Sequence, residues 1–114
     1  MRRLGLFLAS ACLCACTATP WETYDETSYA AVMDPTDEAV AEHIALLEKW
    51  VAGPAEDVPA GIPVELAYWL AKVGHTEEAR KLFEAEIVRY PHAEKYVRML
   101  MNLVLPLVAP EPKP

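Results

Sequence analysis

The sequence predicts an all-α fold, a small helical bundle built around one helix-turn-helix with flanking helices. Three observations predict it. Two apolar runs of helical spacing lie between Pro63 and Pro91, on either side of Val73-Gly74-His75. A helix start, Asp34-Pro35-Thr36-Asp37, opens another such run. A last one lies between His92 and Leu105, where Tyr96, Leu100 and Leu103 form one apolar line and Val97, Met101 and Val104 a second.

Taken in order, the chain opens on a short basic region, Met1-Arg2-Arg3, followed by an apolar run from Leu4 to Ala11 that Cys12-Leu13-Cys14-Ala15-Cys16 extends. The run is too short to span a bilayer as a helix and has the layout of a secretory signal peptide. Leu13-Cys14-Ala15-Cys16 resembles a bacterial lipobox, with leucine three residues before the cysteine and a small residue just before it. That resemblance implies a lipoprotein signal peptide over residues 1–15. Cleavage before Cys16 then leaves its thiol to carry a diacylglycerol and its new amine a third acyl chain. Cys12, behind Ala9-Ser10-Ala11, is the runner-up, with a shorter signal and no leucine at the matching place; Cys14 follows Leu13 and fits poorly. Two other readings stand beside these: a Cys-x-Cys-x-Cys metal site, for which no paired cysteines or histidines of zinc spacing follow, and an ordinary signal peptide cleaved beyond the cysteines. Thr17 rather than Asp after the anchor implies, by the sorting rule of bacterial lipoproteins, the outer membrane with the domain facing the periplasm.

The chain carries 10 Lys and Arg against 17 Asp and Glu, a net charge of −7. Loss of Arg2 and Arg3 with the leader leaves 8 against 17, or −9 with the acylated amine uncharged. That balance argues against nucleic acid as a partner and against electrostatic binding to anionic lipid. Membrane attachment then falls to the acyl chains. No cysteine follows Cys16, so the mature domain is expected to rest on packing alone.

Residues 16–33 read as a lipid-anchored linker with an aromatic segment. A short helix or turn there would lay Trp21, Tyr24 and Tyr29 on the domain. Residues 34–105 read as the helical domain. Asp34 is expected as N-cap, with Pro35 first and Asp37 third, and the helix should run to about Ala52 before Gly53-Pro54. Val40, Ile44, Leu47 and Val51 form its buried stripe, with Ala41, His43 and Trp50 beside it. Ala55 to Ile62 is a loop, kept out of helix by Val58-Pro59 and Gly61.

In the hairpin, Pro63 suits the first helical position, and Val64 to Ala71 is apolar enough to need cover on more than one side. Gly74 supplies the left-handed residue that ends helices. Thr76 is expected as N-cap of the second helix, with Glu77 and Glu78 at its positive end. Leu82, Phe83, Ile87 and Tyr90 follow at helical spacing, and Pro91 ends the run. The unit resembles one tetratricopeptide repeat, with Ala67, Gly74, Ala79, Phe83 and Pro91 at the motif's structural positions. Ala79 then marks the helix crossing, where a larger side chain would push the helices apart. An ordinary helical hairpin shares these cues. Residues 106–114 hold four prolines and read as a Pro-rich mobile tail.

The lipobox, Trp21…Tyr24…Ser28-Tyr29, His43 with Leu46-Leu47-Glu48, Val58-Pro59-Ala60-Gly61 and the hairpin occur together in one order. In that order the chain resembles the small bacterial lipoproteins of domain of unknown function 4810, over roughly Leu13 to Leu103. The resemblance implies a cell-envelope lipoprotein in a multi-lipoprotein complex with lipoproteins of the curli-secretion-channel type. It brings no catalytic residues, and Cys14 inside the lipobox departs from the pattern.

The residues themselves favour a non-enzymatic interaction or assembly subunit, whose partners are other envelope lipoproteins or outer-membrane proteins. A small envelope hydrolase or a ligand-binding lipoprotein is the alternative. No nucleophile elbow, HExxH or Gly-rich phosphate loop occurs, and no cofactor is expected. Glu77 and Glu78 cap a helix rather than face each other as acid and base. His43, His75 and His92 are scattered, and His43 reads as a packed or surface histidine rather than a metal ligand. Tyr68, Trp69, Tyr96 and Met99 are the candidates for an exposed interface, since aromatics and methionine are enriched at interface cores; completion of the small core by all four is the competing reading.

Overall fold

The structure, a computed structural model, describes residues 20–106. Five α-helices follow one another: α1 (Pro20–Met33), α2 (Asp37–Val51), α3 (Ile62–Lys72), α4 (Thr76–Arg89) and α5 (Glu94–Val104). Short 3-10 turns at Ala55–Asp57 and Pro91–Ala93 lead towards α3 and α5, and no strand occurs among the described residues. The fold is an all-α bundle. Each helix packs on the next, and α5 also reaches back to α3. The leader with Cys12 and Cys16, and the tail from Leu107 onward, lie outside the described residues.

The first helix is longer than its sequence suggests. The expected short helix or turn is a 14-residue helix, so the helical body extends back to Pro20. Its rings divide: Trp21 meets Trp50 edge-on at 4.7 Å, whereas Tyr29 turns outward. The start of α2 also differs from expectation. Thr36, not Asp34, is the N-cap, and its hydroxyl accepts the Ala39 N–H at 3.1 Å. Asp34 instead finishes the preceding helix: its N–H closes the last turn of α1 onto the Ala30 carbonyl, and its own carbonyl accepts the Thr36 N–H at 2.7 Å. The residue before Pro35 resists the helical conformation, which helps to stop α1 at Met33.

Gly74 closes α3 as its sequence requires. At φ +95° it lets the His75 N–H reach the Leu70 carbonyl and its own N–H reach that of Ala71. This tight reversal leaves Thr76 inside α4 as its first residue, with His75 at the cap position and no side-chain cap. Gly61, at φ +90°, occupies the cap position of α3, so Pro63 stands second rather than first. Pro91 ends α4 after Arg89 and starts the 3-10 turn, so α5 begins at Glu94.

The core runs through the last four helices. Leu47 of α2, Leu66, Ala67 and Leu70 of α3, Ala79, Phe83 and Ile87 of α4, and Val97 and Met101 of α5 form one buried cluster. Ala67, Ala79 and Phe83 have no exposed surface. Small residues at these positions let two backbones approach, and the phenyl ring fills the space beside them. On α5 the Val97–Met101 line is buried, while Tyr96 and Leu103 of the other line face outward.

Candidate interaction surface

Four polar side chains from three helices meet where α1 and α2 pack on α3. The Tyr24 hydroxyl donates to Glu65 Oε2 at 2.6 Å. His43 Nε2 lies 3.0 Å from Glu65 Oε1, and His43 Nδ1 lies 2.8 Å from the Thr27 hydroxyl. His43 is fully buried, and Tyr24 and Trp69 present their rings to it at 5.4 and 5.7 Å. Burial pushes the Tyr24 phenol up to about 12, with the adjacent Glu65 carboxylate adding to the effect. Burial also favours a neutral Glu65, but the hydrogen bonds from His43 and Tyr24 outweigh it and hold that carboxyl below its ordinary value. With Glu65 ionised, His43 Nε2 carries the proton and donates to it.

A hydroxyl, an imidazole and a carboxylate in line have the outline of a relay, but this one is arranged as a tie. The imidazole has no exposed surface to offer a substrate. The Thr27 hydroxyl also lies 3.0 Å from the Thr23 carbonyl of its own helix, the usual resting place of a helical threonine. What the chain of bonds does is fix the register of α1 and α2 against α3. Sequence reasoning missed it. The available signal was a histidine three residues after Val40 and four before Leu47, inside an apolar line.

Glu86 is a second buried acid that the pattern did not announce, being 4% exposed. Its Oε1 accepts the Gly61 N–H at 3.4 Å, which sets a carboxylate at the positive end of α3. Arg89 reaches from the end of α4 to the carbonyls of Ala55 and Val58 at 2.9 and 3.3 Å and pins the α2–α3 loop.

The four sequence-predicted interface residues divide between two sides of the molecule. Tyr68 and Tyr96 line an open groove of about 620 Å3 between α3, the end of α4 and α5, together with Val64, Tyr90 and Leu100. Tyr96 and Met99 are exposed on α5. Trp69 is half-buried and packs on the core from the α2 side. The large apolar side chains left in solvent are concentrated at the two ends of the helix order. Of the nine among the described residues, seven belong to α1 (Trp21, Tyr29, Val32, Met33) and α5 (Tyr96, Met99, Leu103). Among the described residues no group of three or more His, Cys, Asp or Glu side chains is placed to hold a metal, and no helix is long and apolar enough to cross a membrane.

No curated protein and no solved structure matches the chain. One family model does, and it covers residues 20–100, from the first residue of α1 into the middle of α5. That span takes in the aromatic segment, the polar tie and the hairpin, and the chain belongs to the family described as Domain of unknown function (DUF4810).

Proposed function

We propose that this protein is a non-enzymatic cell-envelope lipoprotein that serves as an interaction or assembly subunit, in a multi-lipoprotein complex at the outer membrane. The observation that carries the reading is the distribution of apolar surface. The joints between helices are filled, while the outer lines of α1 and α5 keep large apolar side chains in solvent. Contiguous exposed apolar lines of this kind mark sites of association. The His43–Glu65 pair, the most reactive-looking group of the domain, is consumed in holding helices together. A tetratricopeptide-like arrangement of the hairpin fits the same role, since stacked helix pairs commonly present a face to a protein partner.

Anchoring rests on the leader, whose basic, apolar and small-residue order ends at Cys16. Mass spectrometry of the mature protein is expected to find an acylated N-terminal peptide beginning at Cys16. A terminus at Trp21 or an intact Met1 defeats that part.

Recovery of the tagged full chain from solubilised membranes tests the role. A partner at fixed stoichiometry is expected, and Tyr96→Glu with Met99→Glu is expected to abolish its recovery without moving the melting curve. Absence of any partner, or recovery untouched by both changes, overturns the assignment.

A further inference from the structure

We infer that the outer faces of α1 and α5 are complementary to each other, so that the partner of α5 includes a second copy of this chain, docked head to tail through its α1. The inference rests on the reading of these faces as docking surfaces and names their occupant. Three observations carry it.

Both faces are helical lines of large apolar side chains. On α5, Tyr96, Met99 and Leu103 follow the i, i+3, i+7 spacing of one helix face and are 58, 52 and 73% exposed. On α1, Tyr29, Val32 and Met33 follow i, i+3, i+4, with Trp21 two turns earlier. Trp21 rests partly on Trp50 and Tyr24, and the other six side chains are each more than half exposed.

Position in the fold points the same way. Each helix packs on its neighbour in sequence, so α1 and α5 are the ends of the described stack. Helical stacks that stop in solution end in polar faces, whereas apolar end faces call for another helix. A contact between unlike faces leaves each copy with one face still open, and so repeats into a ring or a filament.

Charge separates this pairing from its rivals. α1 carries Glu22, Asp25 and Glu26 and no Lys or Arg, and Asp25 lies one turn from both Trp21 and Tyr29. Two α1 faces brought together oppose six carboxylates. α5 offers Lys95, one turn before Met99 and in no ion pair among the described residues, beside an Arg98 already held by Glu94 and Glu84. Lys95 against Asp25 places opposite charges beside the apolar contact, which is the arrangement that fixes partner and register.

The test is sedimentation velocity of the full chain in mild detergent, with Val32→Glu blocking the α1 face and Leu103→Glu blocking the α5 face. The parent is expected to form species larger than a dimer, and each variant alone to sediment as a monomer. An equimolar mixture of the two variants is expected to give a dimer and nothing larger, because one competent pair of faces remains. A monomeric parent overturns the inference. So does a Val32→Glu chain that still associates while Leu103→Glu does not, which denotes α5 on α5, and so does a mixture that stays monomeric. Melting curves matching the parent qualify both variants, and Tyr29→Glu and Met99→Glu replace either one that unfolds. A monomeric parent whose membrane partner is still lost on Met99→Glu refutes self-association alone and leaves the assembly role standing.

Discussion

The pair α3 and α4 is held by Ala67, Ala79 and Phe83, all without exposed surface, whereas α1 and α2 are fixed to α3 by Tyr24, Thr27, His43 and Glu65. The first joint gains its stability from excluded water and close packing, which have no direction, and its weakness is volume. The second joint is directional. Its bonds contribute modestly when all are made, and leave buried groups unpaired when one partner is removed. The difference teaches how a small domain without a disulfide among its described residues can be both firm and specific. The apolar joint holds the hairpin closed, and the polar joint sets how the first two helices sit upon it. Both joints are interior, and the proposed recognition surfaces are the outer lines of α1 and α5, which lie outside them.

The comparison breaks most severely at Phe83. Phe83→Ala is expected to cost about 3–5 kcal/mol through cavity formation, a large part of the stability of a domain this size. Ala79→Leu is expected to overpack the same joint at a cost of about 1–3 kcal/mol. Thermal melts check both, and melts that match the parent refute the account of the hairpin. Glu65→Ala attacks the other joint. It leaves His43 Nε2 and the Tyr24 hydroxyl without their acceptor, an expected loss of about 1–3 kcal/mol. The two joints should also differ in kind. Adding His43→Leu to Glu65→Ala should recover part of the loss, because the orphaned donor goes with it, while no polar change rescues Phe83→Ala.

The apolar joint was legible in the sequence and the polar one was not. Gly74, Ala79, Phe83 and Pro91 lie within 18 positions of one another, and helical periodicity relates them directly. Tyr24 and Glu65 are 41 positions apart, and no local period links them through His43. The same limit hid Glu86, whose partner is the Gly61 N–H. Helix ends were missed where two signals competed. Asp34 and Thr36 are both good caps, and local spacing does not show that Asp34 would finish α1 while the Thr36 hydroxyl takes the Ala39 N–H. The two lines of α5 were both visible as apolar, but which one would pack depended on where α3 lay. Trp69 was read with Tyr68 as one surface, yet adjacent residues on a helix point about 100° apart, and these two face different neighbours.

The smallest expected effect separates the joints by pH. The Tyr24 phenol is raised from 10.0 to about 12, so its contribution is complete below 10.0 and is lost as pH climbs through about 12. Glu65 is lowered, so its contribution is complete above the ordinary carboxylate range and is lost as acid titrates through its lowered value. Tyr24→Phe removes one hydrogen bond, roughly 0.5–1.5 kcal/mol at neutral pH. It should also remove the part of the alkaline fall in melting temperature that belongs to the polar joint. Equal alkaline falls in parent and variant would contradict the assignment.

The measurement that tests the division between joints and outer faces most directly is photo-crosslinking in intact cells. Full-length chain would carry benzoylphenylalanine either at Met99, on the outer line of α5, or at Glu42, exposed on α2. The account predicts a discrete adduct of higher mass from position 99 and none from position 42. Adducts from position 42 with none from position 99 would place recognition on another face of the domain and contradict it.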